Sequence, residues 1–488
     1  MVAIKVNTRQ IGLLLMLCLL CNCSGPTESY VSSFFETGDR IQSHAIIDND
    51  VLYFGSNDKT FYAVDLKTGG ERWSIPTGSA VKSSAAIKDS MLYFSSGNRF
   101  YALDKSSGRE IWTYTIESLV PRDNLDPWDY HHSNPVIHDA AVYFSCENGM
   151  LYCFDALKGD LQFAWSTIDS AAIRCTPAIK DYILYTGDWN GRIYAFDLKT
   201  RDTLWTYRTY LEQYYPTYGR INTRLYIHDS ILVFGARNHE IQVININTGN
   251  KAWSHVEQNG GWISGDPLVA GDTLFIGGSD CHKLFAFHVA TGEIFWTYEI
   301  LHNSFSSPII EGDHIFFTTG DALANSGSNY GSGYLYALDR ENGSLVNASL
   351  IGGNLFIDPL VYEDNIYLGS DDMHIYAIDL PGFLSDSTTL QLRGYEFIDQ
   401  IEITPNPFLD STTISFQVNY ETSVKATIYD LERNEISILQ DGPLTSGYHS
   451  YEWDGKDSLG TLLPVGYYII EALSGEYFKQ AYIQRNIE

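Results

Sequence analysis

Four cysteines and one pair of adjacent histidines are the residues of this sequence best suited to redox or metal chemistry. Beyond residue 23 the cysteines are Cys146, Cys153, Cys175 and Cys281. In an oxidising compartment they could pair in three ways, and the sequence does not choose among them. Cys146 and Cys153 flank a predicted hairpin turn at Asn148-Gly149 and could form a bridge; four buried free thiols are the alternative. His131-His132 could bind a metal, but adjacent histidines alone do not define a site, so we predict none.

Motifs of nucleophilic and phosphate chemistry are missing from the sequence. Beyond residue 23 it has no Cys-x-x-Cys pair, and it has neither a nucleophile–base motif nor a phosphate-binding loop. With 31 Lys and Arg against 60 Asp and Glu, the formal net charge is −29. Because an acidic surface repels phosphate, we expect no nucleic-acid partner. These observations favour a binding protein over an enzyme.

The elements that must position any site are eight copies of one repeat. A Tyr-Ala-x-Asp signature, worn in two copies, recurs every 39 to 51 residues. The copies are Tyr62–Asp65, Tyr101–Asp104, Tyr152–Asp155, Tyr194–Asp197, Gln242–Asn245, Phe285–His288, Tyr336–Asp339 and Tyr376–Asp379. A tryptophan follows eight residues after the signature at Trp73, Trp112, Trp205, Trp253 and Trp296, and two residues later than that at Trp165. This spacing is typical of a four-stranded propeller blade.

Each copy divides into four short strands separated by turns rich in Gly, Asn and Asp, such as Pro177–Ile179 followed by Ile183–Gly187. The eighth copy has no tryptophan strand after Asp379, whereas Tyr30–Gly38 resembles such a strand. We expect this N-terminal strand to complete the last blade, because joining first and last blades removes exposed edges. The predicted fold is all-β: an eight-bladed β-propeller at residues 30–382, followed by a small Ig-like β-sandwich.

The repeats resemble the pyrroloquinoline-quinone-type (PQQ-type) propeller family through their Tyr-Ala-x-Asp, Gly and Trp positions. That family includes quinone-dependent dehydrogenases and non-catalytic scaffolds, among them the propeller lipoprotein of the outer-membrane β-barrel assembly machinery. The dehydrogenases hold their quinone against a disulfide of adjacent cysteines and use calcium. This sequence has neither adjacent cysteines beyond the leader nor a Glu–Asn–Asp calcium set, and no Cys-x-x-Cys-His haem motif. We therefore expect no cofactor, with PQQ and calcium only under the alternative of an atypical quinoprotein oxidoreductase.

The first 23 residues are predicted to be a signal peptide. Lys5 and Arg9 precede an apolar run at Ile11–Leu20, which is too short to span a bilayer. Leu20 lies three positions before Cys23, as in bacterial lipoprotein signals, so Cys23 is a candidate for lipidation; a plain secretory signal is the alternative. We expect an exported protein at the outer membrane or cell surface, or in the periplasm, without a transmembrane helix after processing.

A linker at residues 383–397 and a separate domain at residues 398–488 are predicted after the propeller. Alternating strands such as Thr412–Val418 favour a small antiparallel sandwich. With its Thr404–Phe408, Trp453–Gly460 and Leu463–Tyr468 segments, the domain resembles the Ig-like C-terminal domain of type IX secretion cargo and the flagellar hook-cap Ig-like family. The resemblance implies export and surface attachment.

Insertions on one side of the predicted propeller mark the surface where we expect binding. The four long insertions are Ser118–Ser133, Thr209–Asn222, His255–Gly265 and Gly320–Gly333. All lie in loops that lead into the innermost strand or join the second and third strands, a side we call the elaborated face; the opposite, plain face has short loops. Aromatic residues in the long and short loops of the elaborated face offer flat apolar area to protein or polysaccharide: Trp128, Trp189, Trp262, Tyr214, Tyr215 and Tyr218. Packing of these loops on one another is the alternative.

The residue just before each innermost strand is polar or charged in all eight copies. These eight residues, which we call the mouth ring, are His44, Ser84, Asn134, Thr176, Arg224, Asp266, Ser307 and Asp358. They predict a hydrated channel mouth at which Arg224, between acidic neighbours, could recognise an anion. A lone acid such as Asp266 does not establish a catalytic base, so no catalytic residue is predicted. The sequence favours a non-catalytic platform that binds protein or glycan.

Overall fold

The computed structural model describes residues 30–116, 133–209, 220–221, 223–238, 240–257, 262–263, 265–279, 281–321, 330–386, 401–418, 422–431, 433–445, 447–474 and 477–486. This part of the chain is all-β, with eight four-stranded antiparallel sheets before residue 380 and two further sheets after residue 401. The arrangement fits a β-propeller. Among the described residues no helix has the length and apolarity that a membrane span requires.

The first strand, β1, spans Val31–Glu36. Sheets 1 to 4 each consist of four consecutive strands: β2 (Ile46–Asp48), β3 (Val51–Gly55), β4 (Thr60–Asp65) and β5 (Glu71–Pro76); β6 (Ala86–Lys88), β7 (Met91–Ser96), β8 (Arg99–Asp104) and β9 (Glu110–Thr115); β10 (Val136–His138), β11 (Ala141–Ser145), β12 (Met150–Asp155) and β13 (Leu161–Ser166); β14 (Ala178–Lys180), β15 (Ile183–Gly187), β16 (Arg192–Asp197) and β17 (Thr203–Arg208). A single 3-10 turn, Ile168–Ser170, follows β13.

Sheets 5 to 7 repeat this order: β18 (Tyr226–His228), β19 (Ile231–Phe234), β20 (Glu240–Asn245) and β21 (Lys251–Val256); β22 (Leu268–Ala270), β23 (Thr273–Gly278), β24 (Lys283–His288) and β25 (Ile294–Glu299); β26 (Ile309–Glu311), β27 (His314–Thr319), β28 (Gly333–Asp339) and β29 (Leu345–Gly352). Sheet 8 combines β30 (Leu360–Tyr362), β31 (Asn365–Gly369) and β32 (His374–Asp379) with β1.

The signature residues fold the turns on either side of their strand. In sheet 1, Tyr62 Oη donates to Asp58 Oδ2 of the preceding turn at 2.7 Å. Asp65 Oδ1 accepts from the backbone N–H groups of Lys67 and Thr68 at 3.0 and 2.9 Å, which closes the following loop. Asp104, Asp155, Asp197, Asn245 and Asp339 make the equivalent loop contacts. The repeat can be recognised in the sequence because its polar side chains make hydrogen bonds to residues of the neighbouring turns.

The repeated tryptophan joins each sheet to the next. Trp73 Nε1 donates to the carbonyl oxygen of Lys105 in sheet 2 at 3.0 Å, and its ring lies over Gly108. Gly108 has a φ of +69°, and a Cβ atom there would lie 2.6 Å from the Trp73 ring, so both the turn and the packing require glycine. The same Nε1 bond to the next sheet is made by Trp112, Trp205, Trp253 and Trp296.

Sheet 3 departs from this pattern. Phe163, not Trp165, lies opposite Cys153 in the register that tryptophan occupies elsewhere, while Trp165 lies opposite Leu151. In the next sheet the loop glycine is replaced by Arg201, which has a φ of +64° and places its guanidinium 5.0 Å from the Phe163 ring centre. The aromatic position is thus filled by a smaller ring with a stacked cation.

Sheet 8 is completed as predicted by the N-terminal strand. β1 pairs antiparallel with β32, from Val31 opposite Ile378 to Glu36 opposite His374. Asp379 then caps a short helix, α1 (Leu380–Ser385), by accepting from Gly382 N at 2.8 Å. Phe383 of this helix is fully buried.

Helix α1 crosses the predicted end of the propeller at residue 382 and continues to Ser385. Phe383 belongs to the same apolar cluster as Tyr30 and Phe316, with ring centres 5.7 and 6.3 Å away. Asn347 Nδ2 also donates to the Phe383 carbonyl oxygen at 2.6 Å. Phe383 thus packs against residues of the preceding sheets, at the position where the sequence predicts the start of a polar linker.

The C-terminal residues form two sheets around one apolar core. One sheet contains β33 (Glu402–Thr404), β34 (Thr412–Val418) and β37 (Gly447–Trp453), and the other contains β35 (Thr422–Tyr429), β36 (Glu435–Leu444), β38 (Gly466–Ser474) and β39 (Tyr477–Arg485). Phe408, Phe416, Trp453 and Ile470 are buried between them.

Cys146, Cys153 and Cys175 are buried free thiols, and Cys281 is half-buried. The alternative of a Cys146–Cys153 bridge is thereby excluded in this structure. Burial raises the pKa of both thiols to about 11, so they are protonated near neutral pH and unreactive.

Candidate functional site

The mouth-ring residues precede the innermost strands, and five of them bond through their backbone N–H to the ring residue of the next sheet. The backbone N–H of one ring residue donates to the side chain of the following one: Ser84 to Asn134 at 2.7 Å, Asn134 to Thr176 at 3.2 Å, Arg224 to Asp266 at 2.7 Å, Ser307 to Asp358 at 2.6 Å and Asp358 to His44 at 3.0 Å. Sheets 4 and 5 are joined by Leu225 N, which donates to the Thr176 carbonyl oxygen at 3.3 Å. The structure therefore joins most neighbouring sheets at the predicted ring residues.

Four charged members of the ring form one ion-pair network. Arg224 Nη2 lies 3.1 Å from Asp358 Oδ2, and Arg224 Nε lies 3.7 Å from Asp266 Oδ2. His44 Nδ1 lies 3.1 Å from Asp358 Oδ1. A ligand atom from each of His44, Asp266 and Asp358 lies within 4.8 Å of the others, so this is a candidate metal cluster by composition. Arg224 already supplies a cation to both carboxylates.

The network shifts the pKa of its own members. Burial alone would raise the pKa of Asp358, but the positive charges of His44 and Arg224 outweigh it and hold that pKa well below the usual range. Burial likewise acts to lower the pKa of His44, and the Asp358 carboxylate raises it above its ordinary value of 6.5. The carboxylate is therefore ionised and the imidazole favours its protonated form.

The imidazole of His44 has two alternative hydrogen bonds. When neutral, Nδ1 accepts from Asp358 N at 3.0 Å; when protonated, the same nitrogen donates to Asp358 Oδ1 at 3.1 Å. Both arrangements join sheet 8 to sheet 1. The anion-recognition hypothesis for Arg224 is not supported by this geometry, because two carboxylates neutralise its guanidinium.

A second cluster on the elaborated face contains arginine and tryptophan side chains from three sheets. We define the arginine–tryptophan cluster as Arg174, Trp189, Arg220, Arg237 and Trp262. The guanidinium carbons of Arg174, Arg220 and Arg237 lie 3.8, 4.2 and 5.9 Å, respectively, from the ring centre of Trp189. Arg237 also lies 4.7 Å from the ring centre of Trp262. Each distance is within the range of a cation–π contact.

Turns and loops at the sheet ends position this cluster. Trp189 lies in the turn between β15 and β16, where Asp188 Oδ1 accepts from Asn190 N at 2.8 Å and from Arg192 N at 3.0 Å. Trp189 N donates to the Ala172 carbonyl oxygen at 2.9 Å, which ties this turn to the segment leading into β14. Arg237 N donates to the Arg220 carbonyl oxygen at 2.9 Å in the next sheet.

The two buried members of the cluster differ from surface arginines. Arg237 is 1% exposed and Arg174 is 3% exposed, whereas Arg220, Trp189 and Trp262 are half-buried. Arg174 forms an ion pair with Glu147 at 2.8 Å. Arg174 therefore combines a cation–π contact with an ion pair.

The family model described as outer membrane protein assembly factor BamB matches residues 35–207 and 237–330, more than half of the chain. The chain belongs to this BamB family. The matched residues contain the signature strands of sheets 1 to 4 and of sheets 5 and 6, together with most of the arginine–tryptophan cluster. Arg220 lies between the two matched segments.

The chain is also similar to a curated relative and to two solved structures. The outer membrane protein assembly factor BamB of Shewanella oneidensis is 24% identical over 292 residues, which cover 57% of this chain and 69% of that protein. The quinohemoprotein alcohol dehydrogenase of Comamonas testosteroni has a TM-score of 0.56 at 11% identity, covering 71% of this chain and 76% of that one. The computationally designed Ika8 protein has a TM-score of 0.55 at 15% identity, covering 71% and 99%. These two structures are related to the chain by fold alone.

The mouth ring of this BamB-family chain does not fit the calcium and quinone of the dehydrogenases. A calcium ion would need the oxygens of Asp266 and Asp358, but the Arg224 guanidinium lies between them. Asp358 is further held by bonds to Ser307 and His44 in the two adjacent sheets. No step of a redox reaction follows from this arrangement.

The structure describes two of the six predicted aromatic residues. Trp189 and Trp262 come from different sheets and meet through Arg237, whereas Trp128, Tyr214, Tyr215 and Tyr218 lie outside the described residues, as does His131-His132. The sequence analysis missed Arg174, Arg220 and Arg237. Three arginines in loops of the elaborated face, beside two of the loop tryptophans, were the available signal in so acidic a chain.

Proposed function

We propose that this chain is a non-catalytic scaffold of the cell envelope that binds a partner protein through its elaborated face. The observation that carries the proposal is the match of more than half of the chain to the outer membrane assembly factor family. A protein of that name in Shewanella oneidensis is a curated relative. We place this chain at the outer membrane, with the cell surface and the periplasm as alternative sites.

The distribution of charge on the elaborated face supports a binding role over catalysis. The titratable groups of the channel mouth are engaged with one another, which leaves them suited to joining sheets. Trp189 and Trp262 are half-buried aromatic groups in loops, the type of residue that anchors protein interfaces. A polysaccharide remains the second kind of partner, because indole rings also pack against sugar rings.

We further propose that sheets 1 to 8 are the eight blades of one closed propeller. In support, β2 of sheet 1 lies beside β30 of sheet 8, just as the innermost strands of sheets 4 and 5 lie side by side. The bond from Asp358 N to His44 Nδ1 joins residues 314 positions apart at the same junction. Closure would remove the two exposed edges of the array.

The terminal segments are proposed to deliver and attach the scaffold. Residues 1–23 would act as an export signal, with lipidation of Cys23 or simple cleavage as the two outcomes. The two-sheet core around Phe416 and Trp453 supports an Ig-like sandwich from residue 401 onward, with a role in type IX secretion or surface attachment. Mass spectrometry of the mature N-terminus would distinguish a lipidated Cys23 from a cleaved signal.

Affinity capture from outer-membrane extract tests the proposed function. We expect the purified chain to retain one protein in stoichiometric amount, and the variants Trp189→Ala and Trp262→Ala to retain less. A glycan array run in parallel tests polysaccharide. Retention of neither protein nor glycan would contradict the proposal.

Reconstitution with PQQ and calcium tests the alternative of a quinoprotein oxidoreductase. The protein is incubated with both, and reduction of an artificial electron acceptor is followed with alcohols and sugars as substrates. We expect neither stoichiometric quinone binding nor turnover. Turnover that tracks bound quinone would replace the scaffold by the oxidoreductase.

A further inference from the structure

The same backbone hydrogen bond joins neighbouring sheets at several junctions on the elaborated face. Its donor is the N–H of the residue three positions before a mouth-ring residue. Its acceptor is the carbonyl oxygen of the first residue after the second strand of the preceding sheet. Three of these bonds are Ile41 to Ser370 at 3.1 Å, Val81 to Ser56 at 3.0 Å and Ile173 to Cys146 at 3.1 Å. The junctions can therefore be compared residue by residue.

The junction of sheets 8 and 1 differs from that of sheets 3 and 4 in the charge opposite its acid. Between sheets 3 and 4, Glu147 forms an ion pair with Arg174 at 2.8 Å. Between sheets 8 and 1, the equivalent acid is Asp371, and the residue at the position of Arg174 is Gln42. Asp371 Oδ1 accepts from the neutral Gln42 Nε2 at 3.0 Å. An amide thus stands where the other junction has a guanidinium.

Asp371 is deeply buried at this junction, with an exposed fraction of 1%. Its Oδ2 accepts from Asn354 Nδ2 at 3.4 Å and lies 3.8 Å from Arg40 Nη1. Burial raises the pKa of Asp371 to about 6, because Arg40 and the two amides offset only part of the cost of a buried charge. The carboxylate is therefore held in place by donors that suit its ionised form only in part.

Other titratable groups lie on the elements packed around Asp371. Asp372, in the same turn, adds a second negative charge and raises the pKa of Asp371 further. Asp372 Oδ1 lies 3.5 Å from His374 Nδ1. Tyr330, in the loop that leads into β28, has its ring centre 5.6 Å from the guanidinium carbon of Arg40. Arg40 is thus the cation nearest to the Asp371 carboxylate among the described residues.

We propose that the Asp371 carboxylate is a proton-sensitive latch between sheets 8 and 1. Its protonated form holds the segment Arg40–Gln42 against the turn between β31 and β32, and its ionised form releases that segment. The closed state binds a proton more tightly than an open state in which the carboxylate is in water, so protonation favours closing. This contribution is full below the ordinary pKa of 3.8 and is lost as pH rises through about 6. The inference goes beyond the proposed function, because it holds whether or not a partner is bound.

Hydrogen–deuterium exchange of the Ile41 amide tests the latch on the full-length protein, with mass spectrometry and electron-transfer fragmentation as the readout. Exchange is divided by the intrinsic rate at each pH. The opening equilibrium should then rise roughly fiftyfold between pH 4 and 7, as expected for a carboxyl pKa of 3.8 in the open state and about 6 in the closed state.

The internal control is the amide of Val81, which makes the equivalent bond between sheets 1 and 2. Ile41 and Val81 are both buried, but the turn that accepts from Val81 has Asn57 at the position of Asp371. An asparagine does not titrate, so opening at Val81 should change less than about threefold over the same pH range. Equal changes at Ile41 and Val81 would overturn the inference.

Two variants should remove the pH dependence by different routes. Asp371→Asn has no carboxyl group to ionise. Gln42→Arg supplies the cation that is present at the junction of sheets 3 and 4, which should keep the ionised carboxylate in the closed state at pH 7. In both variants the change at Ile41 should fall to within about threefold, and thermal melting verifies that each protein is folded. A change near fiftyfold that persists in either variant would overturn the inference.

Discussion

The mouth ring and the arginine–tryptophan cluster lie at the same ends of the sheets but surround their arginines with different groups. In the ring, Arg224 contacts two carboxylates, and backbone N–H groups donate to other carboxylate oxygens. In the cluster, three arginines surround the uncharged ring of Trp189, and Arg174 also forms an ion pair with Glu147. The difference teaches that the ring joins sheets through ion pairs, whereas the cluster joins loops of neighbouring sheets around an aromatic side chain.

Asp358→Ala should have the largest effect on the free energy of unfolding. A small effect would contradict the role of the mouth ring in holding the sheets together. The change leaves Arg224 and His44 without their shared carboxylate in a site where Asp358 is 12% exposed. We expect a loss of about 3–4 kcal/mol in the free energy of unfolding, near the lower end for a broken buried ion pair. Urea denaturation measures it. Glu110→Ala, which removes an exposed ion pair with Arg99, is the control and should cost under about 1 kcal/mol.

Asp371→Asn tests a buried carboxylate that differs from Asp358. At Asp371 the neighbouring donors do not offset the effect of burial on the pKa. Burial raises the pKa of Asp371 to about 6, against the opposing effects of Arg40 at 3.8 Å and Gln42 at 3.0 Å. A raised pKa means that the folded state binds the proton more tightly, so stability falls as pH rises from about 4 through 6. Wild type should lose roughly 2–3 kcal/mol over this interval relative to Asp371→Asn, whose profile stays flat. A parallel fall in both proteins would contradict this assignment.

The signature turns and the closing strand could be predicted from sequence because each repeat position has a local task. Asp65 caps a loop two residues away, and Trp73 needs only the glycine of the next loop. The helix after Gly382 could not be predicted, since the burial of Phe383 depends on Tyr30, more than 350 positions away. Phe163 was missed because Trp165 satisfied the expected residue type two positions later.

The candidate site was predictable only in outline. Aligning the repeats found the mouth ring, but the pairing of Arg224 with both Asp266 and Asp358 depends on side-chain direction across sheets. The arginines around Trp189 come from loops that are unlike one another in sequence, so no repeat pattern marks them. Periodicity locates scaffold positions, while loop residues are located only by the fold.

Trp189→Ala should have an intermediate effect, because its indole lies against three guanidinium groups. Removing the ring brings like charges together in a partly buried site, which we expect to cost about 1–2 kcal/mol. Trp189→Phe should recover most of this loss, since a smaller ring keeps the stacking. Differential scanning calorimetry compares the three proteins. No change in either variant would mean that the cluster is loosely packed and would weaken its role in binding.

His44→Asn should have the smallest effect on stability, and this effect should be seen only in the dependence of stability on pH. The raised pKa of His44 means that its contribution to stability is full below about pH 6.5 and is lost as pH rises through the folded-state value. The Asn side chain can still accept from Asp358 N but cannot gain a proton. As pH rises above 6.5, wild type should therefore lose stability relative to His44→Asn, as followed by thermal unfolding. A larger loss in the variant would reverse the assigned charge state.

Site-specific photo-crosslinking in cells tests the central claim, that the elaborated face binds a protein partner. A photoreactive phenylalanine replaces Asn190, an exposed neighbour of Trp189, and in a second protein replaces Leu157, which is 69% exposed in the loop after β12 on the plain face. We predict one discrete protein adduct from position 190 that Trp262→Ala diminishes, and none from position 157. Equal adducts from both positions, or an adduct from position 157 alone, would contradict the account.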